Sequence, residues 1–96
     1  MLTIEWKNSA LDDLDEILLY IRLRSPQGAE RLYSRIVELL ESTSKNPYMF
    51  KRSERMQGMR EIVIYPSYVV LYQVSATAVE VVNVLHTSRH YPGREL

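Results

Sequence analysis

Three runs of β-branched and aromatic residues dominate the second half of the chain. They are Glu61–Tyr65, Tyr68–Val74 and Val79–His86, and they are separated by short breaks at 66–67 and 75–78. Because Val, Ile and Tyr favour extended backbone, each run predicts a strand. Breaks this short join neighbouring strands directly, so the three strands are predicted to form an antiparallel meander.

The middle run shows which side chains share a face of this meander. Side chains alternate along a strand, so each face receives every second residue. One face holds Tyr68, Val70, Tyr72 and Val74, and the other holds Val69, Leu71 and Gln73. Both faces are largely apolar, so another part of the chain must cover at least one of them.

The N-terminal half supplies this cover. Leu2, Ile4 and Trp6 alternate with polar residues, which predicts a strand that joins the later sheet. A helix is predicted next, with Ser9 as its N-cap. Its apolar stripe consists of Leu11, Leu14, Ile17, Leu18 and Ile21.

A second helix begins at Ser25-Pro26, with proline at the first helical position. Its stripe consists of Ala29, Leu32, Tyr33, Ile36, Val37 and Leu40. Two amphipathic helices joined by so short a turn form an antiparallel hairpin, which is predicted to cover one face of the sheet. Residues 42–57 lose the helical period and are predicted to be a connecting loop.

The predicted order is β-α-α-β-β-β, an α+β fold in one domain over residues 1–96, with 93–96 as a loose tail. The chain has no cysteine, and His86 and His90 are four apart at the end of a strand, so we expect neither a metal nor a cofactor. No apolar run approaches membrane-spanning length and no basic leader is visible. We therefore expect a cytoplasmic protein without membrane contact.

The formal net charge is zero, but it is unevenly distributed. Residues 1–44 carry five basic and eight acidic side chains, a balance of −3, whereas residues 45–96 carry seven basic and four acidic, a balance of +3. The candidates for contact with a target or with nucleic acid are Lys51, Arg52, Arg55, Arg60 and Arg89. The chain lacks the strong overall positive field that dedicated RNA-binding proteins commonly use.

This order of elements resembles the RelE/ParE superfamily of toxins from bacterial type II toxin–antitoxin modules. The resemblance covers nearly the whole chain. It is carried by the LDDLDEILLYI helix, by Ala29–Leu32 opening the second helix, by Gly58–Glu61 entering the sheet, and by VEVVNVLHTSRHYP closing it. The ending Leu85–Arg89 is similar to the ParE branch. Each motif is weak alone, and their order and spacing in so short a chain carry the resemblance.

The two branches of the superfamily imply different functions. ParE-like members poison DNA gyrase and are thought not to cleave RNA, so the resemblance implies a growth-arresting toxin that is not an enzyme. RelE-like members cut mRNA on the ribosome, and this is the alternative function. A binding module without toxicity is the third possibility.

No catalytic residue is favoured. Under the RelE-like alternative, Arg60, Arg89 and Tyr91 match that branch loosely, and His86 is a further candidate for proton transfer. Some of these residues also have interpretations that involve no catalytic function. Arg60 and Glu61 are interpretable as an ion pair at a strand entry, and His86 as a half-buried histidine without a catalytic role.

The resemblance also implies a partner, since toxins of this superfamily are neutralised by an antitoxin that lays a helix or an extended segment on them. Leu19, Tyr20 and Leu23 lie off the main stripe of the first helix. A helix with apolar residues on a second side is typical of a partner surface, so these three are the candidate antitoxin contacts. The same patch could instead support a homodimer.

Overall fold

The computed structural model describes residues 1–64 and 66–88 of the chain. The elements are β1 (Thr3–Trp6), α1 (Asn8–Arg22), α2 (Pro26–Lys45), β2 (Arg60–Ile64), β3 (Tyr68–Val74) and β4 (Ala78–His86). The predicted α+β order is therefore confirmed. The predicted tail at 93–96 lies outside the described residues.

The four strands form one sheet in the order β1-β4-β3-β2. The strand β3 pairs antiparallel with β2 on one side and with β4 on the other, which confirms the meander. The N-terminal strand joins the sheet as predicted and lies parallel to β4, with Trp6 opposite Val81. The two helices connect β1 to the rest of the chain and pack on one face, which we call the helix-covered face.

The helix boundaries differ from the predicted ones at two points. Ser25 caps α2 as expected, and its side chain accepts a hydrogen bond from the Gly28 N–H at 3.0 Å. Ser9 is not the cap of α1, because the helix begins at Asn8 and the cap position is Lys7. The loop prediction for 42–45 was also wrong, since α2 continues to Lys45 and buries two small polar residues there.

Ser9 and Asp13 instead form hydrogen bonds to the backbone of β4, at a point where that strand is irregular. The register between β3 and β4 shifts so that Val82 faces no residue of β3, which is a β-bulge. The Ser9 hydroxyl donates to the Val82 carbonyl at 2.6 Å, and the Asp13 carboxylate accepts from the Val84 N–H at 2.9 Å. The start of α1 thus supplies side-chain hydrogen-bond partners for the Val82 carbonyl and the Val84 N–H of β4.

The main core lies between the helices and the helix-covered face. It consists of Ala10, Leu14, Ile17, Leu32, Ile36, Leu40, Ile62, Ile64, Val70, Tyr72, Val79, Val81 and Val84. The stripes predicted for the helices were too wide, because Leu11, Tyr33 and Val37 lie exposed on the outer side of the hairpin.

The opposite face of the sheet holds a smaller apolar cluster of Val69, Leu71 and Leu85. Met56, from the connecting loop at residues 46–59, packs against this cluster. We call this side the loop-covered face. Both faces of the middle strand are therefore buried, which explains why β3 is apolar at almost every position.

Tyr72 links the core to the connecting loop. Its ring is fully buried and its hydroxyl donates to the Pro47 carbonyl at 2.8 Å. Burial raises the pKa of Tyr72, so the hydroxyl stays protonated as a donor. Replacing Tyr72 by Phe removes the hydroxyl and with it this bond, and we expect the free energy of unfolding to fall by about 1 kcal/mol in urea denaturation. The matched change Tyr33→Phe, on an exposed ring, should alter it by less than about 0.5 kcal/mol.

Candidate functional surfaces

The connecting loop is held to the sheet by a buried carboxylate, Glu61 on β2. Its side chain is 2% exposed. The Arg55 guanidinium donates to both carboxylate oxygens at 3.0 and 2.9 Å, and the Ser53 hydroxyl donates to one of them at 2.8 Å. The Lys51 ammonium lies 3.6 Å away. A charged group can remain buried in this way because hydrogen bonds and opposite charges replace its water shell.

The protonation of Glu61 follows from these contacts. Burial raises the pKa of the carboxyl group, but the hydrogen bonds from Ser53 and Arg55 and the positive charges of Arg55 and Lys51 lower it. The net pKa lies below the ordinary value of 4.5. Glu61 is therefore ionised at neutral pH and acts as the anchor of the loop.

Arg60 and Glu61 do not form the ion pair that their adjacency suggested. Neighbouring residues of a strand point to opposite faces, so Arg60 lies on the other side of β2 from the Glu61 carboxylate. Its guanidinium donates to the Phe50 carbonyl at 2.7 Å and lies 5.0 Å from the centre of the Tyr48 ring. The partner of Glu61 is Arg55, which the sequence had not indicated.

The five candidate contact residues thus separate into different groups. Lys51 and Arg55 are engaged with Glu61. Arg52 and Arg60 line a cavity of about 360 Å³ at the end of the sheet where β2 begins. Arg89 lies outside the described residues.

His86 closes β4 at the other end of the sheet. Its ring meets the edge of the Tyr68 ring with centroids 5.0 Å apart, and its Nδ1 accepts from the Ser88 N–H at 3.2 Å. The His86 side chain is half-buried, which is the position that its interpretation as a structural histidine predicts. Tyr91, His90 and Arg89 follow it and lie outside the described residues.

The structure does not bring Arg60 and His86 together. Arg60 is opposite Tyr72 and His86 is opposite Tyr68, four residues apart on β3. At 3.3–3.4 Å per residue their positions are about 13 Å apart along the strand direction, and β3 also lies between the two strands that carry them. Buried Val70 and Val84 lie between them beneath the helices. The two side chains therefore do not converge on one reacting group.

The three candidate antitoxin contacts all lie exposed at the end of α1. Leu19, Tyr20 and Leu23 are 54%, 47% and 76% exposed. Leu19 and Leu23 are one turn apart and share a side of the helix. The Arg24 guanidinium stacks on the Tyr20 ring at 3.8 Å, which leaves the two leucines as the apolar part of the patch.

A second surface involves residues that the sequence assigned to the core, which is correct for Leu18, since it packs against the core, and wrong for the exposed Tyr33. Leu18 and Tyr33 line a groove between α1 and α2 on the outer side of the hairpin. Val37 lies one turn beyond Tyr33 and is also exposed. The helical period alone could not separate Tyr33 and Val37 from the inner stripe, because these apolar residues lie directly beside it on the same helix.

Two further properties bear on the kind of site. Within the part of the chain that the structure describes, no helix is both long and apolar enough to cross a membrane. Among the same residues, no group of three or more His, Asp or Glu side chains is placed to hold a metal ion.

A helical hairpin on one face of a four-stranded sheet is the architecture that the sequence resemblance to RelE/ParE toxins implies. The chain matches the family model described as "ParE toxin of type II toxin-antitoxin system, parDE" over residues 4–91. It therefore belongs to the ParE toxin family of type II toxin–antitoxin systems.

Known proteins similar to the chain include a toxin of Caulobacter vibrioides and a chain of a solved structure. Toxin RelE2 of Caulobacter vibrioides is 32% identical over 89 residues, which cover 93% of this chain and 99% of that protein. The solved structure entitled "Chromosomal ParDE TA system from P. aeruginosa" contains a chain with a TM-score of 0.76 and 20% identity. It matches 92% of this chain and 98% of its own, and at this identity it supports the fold.

Proposed function

We propose that this toxin arrests growth in the cytoplasm by poisoning DNA gyrase and does not cleave RNA. Membership of the ParE family supports this choice. The observation that carries it is the separation of Arg60 from His86 at opposite ends of β3. Cutting RNA through its own 2′-OH needs a base, an acid and a cation around one phosphodiester, and these two candidates do not share such a point.

The basic residues support the same proposal. A ribosome-dependent nuclease presses a broad positive surface against RNA, because phosphate contacts supply most of its affinity. Here Lys51 and Arg55 lie against the Glu61 carboxylate, which neutralises one of their two positive charges within the protein.

Ribosome-dependent mRNA cleavage remains the second candidate. The relative named Toxin RelE2 favours it, and Arg60 stands where the RelE-like alternative needs an arginine at the entry of the sheet. Arg89 and Tyr91, the other residues of that alternative, lie outside the described residues.

We further propose that a cognate antitoxin neutralises the toxin by binding the α1–α2 hairpin. The patch of Leu19 and Leu23 lies beside the outer groove on the hairpin, and the groove adds the apolar surface of Leu18 and Tyr33 next to charged residues. An amphipathic helix laid on them would bury apolar area that is now in water, which is the usual basis of helix-in-groove recognition.

The target is tested with two assays run in parallel on the purified toxin. With gyrase and plasmid DNA, we expect cleaved DNA complexes to accumulate. With programmed ribosomes, we expect the mRNA to stay intact. Preincubation with the antitoxin is the control and should abolish the gyrase effect. Cut mRNA with unaffected gyrase would overturn the proposal in favour of the RelE-like alternative.

The variant His86→Ala tests in cells whether toxicity depends on proton transfer by His86. A nuclease that used His86 for proton transfer would lose about 10²–10⁴-fold in rate. We expect instead that growth arrest on expression without the antitoxin changes less than about twofold, since the His86 ring packs on Tyr68 and bonds Ser88 at the end of β4, about 13 Å along the sheet from Arg60. The melting temperature of the variant shows whether any loss of growth arrest is caused by unfolding.

A further inference from the structure

The cavity at the start of β2 combines two arginines with polar groups. It measures about 360 Å³ and is lined by Arg52, Arg60, Gln57, Gln73 and Tyr48, among others. Gly58 lies in its wall with a φ of 85°, a backbone conformation that suits glycine and folds the loop around the cavity. The cavity is thus built by the connecting loop on one side and by the ends of β2 and β3 on the other.

The path of the backbone places Arg52 and Arg60 next to each other. They are direct partners in an isolated antiparallel bridge, which places their Cβ atoms about 4.5–5.5 Å apart on one side. Like charges directly opposite each other destabilise a strand pair. The acidic residues nearest in the chain, Glu54 and Glu61, are not among the residues that line the cavity.

Arg60 is also preorganised. One of its terminal nitrogens donates to the Phe50 carbonyl at 2.7 Å, and the Tyr48 ring lies against the guanidinium. A guanidinium has five N–H donors, so most of them remain for a ligand. Within residues 1–64 and 66–88, no hydrogen bond or ion pair engages the Arg52 side chain.

We propose that Arg52 and Arg60 together bind one phosphate group of a nucleic-acid backbone. A backbone phosphate presents two non-bridging oxygens, which can accept from two guanidinium groups at once. The choice of DNA as the physiological source rests on the proposed function, whereas the phosphate site itself does not. Of the four basic candidates within the described residues, the proposal assigns Arg52 and Arg60 to phosphate binding and Lys51 and Arg55 to loop anchoring.

The test measures binding of the full chain to a short fluorescent duplex DNA and to an RNA of equal length by anisotropy at low salt. We expect Arg52→Gln with Arg60→Gln to weaken DNA binding at least about tenfold. The negative slope of log K against log salt should become shallower by about one, because one phosphate contact is lost. The control is Arg22→Gln with Arg31→Gln, which removes the same charge from the helices and should change binding less than about twofold.

Further variants keep the test decisive if the double variant does not fold. Arg52→Gln alone removes a side chain with no described partner, so its fold should be retained. Arg60→Lys keeps the charge and should restore part of the binding. Equal weakening by the helix control, or binding of a poly-glutamate peptide without binding of DNA, would overturn the proposal. Preference for RNA over DNA would retain the phosphate site and overturn DNA as its source, and gyrase poisoning is measured separately.

Discussion

Replacing Glu61 by alanine is expected to lower the free energy of unfolding by about 2–3 kcal/mol at pH 7. Loss of one partner from a buried ion pair typically costs about 3–5 kcal/mol, because the remaining charge is left without compensation. Here Arg55 is 46% exposed and can regain water, which reduces the cost. Urea denaturation followed by circular dichroism measures the effect. The variant Glu61→Gln keeps an acceptor for Ser53 and should lose less.

The exposed pair of Arg35 and Glu38 provides the matched control. Its carboxylate lies 3.0 Å from the guanidinium, but the two side chains are 58% and 70% exposed. Pairs in water contribute about 0–1 kcal/mol, so Glu38→Ala should have an effect below about 0.5 kcal/mol. An equal effect of Glu38→Ala and Glu61→Ala would contradict the anchoring role of Glu61.

The pH dependence of stability has a defined sign. The folded pKa of Glu61 is depressed below 4.5, so its stabilising contribution is complete above that value and is lost as the pH falls through the lower folded pKa. The difference between the wild type and Glu61→Ala should therefore shrink on acidification below about pH 4.5. A difference that stays constant down to strongly acidic pH would exclude the ionised carboxylate as its cause.

Replacing Leu19 and Leu23 by aspartate is expected to weaken antitoxin binding at least about 100-fold. Both leucines are exposed in the toxin, so the change should cost little folding stability. Burial of two leucine side chains contributes about 1.5–3 kcal/mol each, and an aspartate buried at the interface adds a desolvation cost. Titration calorimetry with the purified cognate antitoxin measures the loss.

Met49→Asp is the control for this experiment. Met49 is 48% exposed and follows the end of α2 at Lys45, whereas the patch lies near the beginning of α2, about 30 Å away along that helix, so its replacement introduces a similar charge at a distant apolar site. We expect it to leave antitoxin affinity within about threefold. Equal loss for both variants would show that the hairpin patch is not the contact. In cells, Leu19→Asp with Leu23→Asp should leave the toxin active in the presence of its antitoxin.

The sequence predicted best where the physics is local. Alternating apolar residues defined β3 and its two faces, and a 3.6-residue period defined both helices. Ser25 capped α2 as expected, because capping depends on the few residues that follow it. Local signals failed where a distant group competed. Ser9 was predicted to be a cap, but its hydroxyl is bound by the bulge of β4, 73 positions away.

The family was recognisable from the sequence for the same reason, since motif order and spacing follow the order of the elements along the chain. The partners of the charged side chains were decided by the tertiary structure alone. Glu61 pairs with Arg55 and not with its neighbour Arg60, because the strand sends adjacent side chains to opposite faces and the loop returns over one of them. The connecting loop also runs alongside the start of β2, which places Arg52 opposite Arg60. Composition determines how many charges the chain has, whereas the path of the loop determines which of them remain available to a ligand.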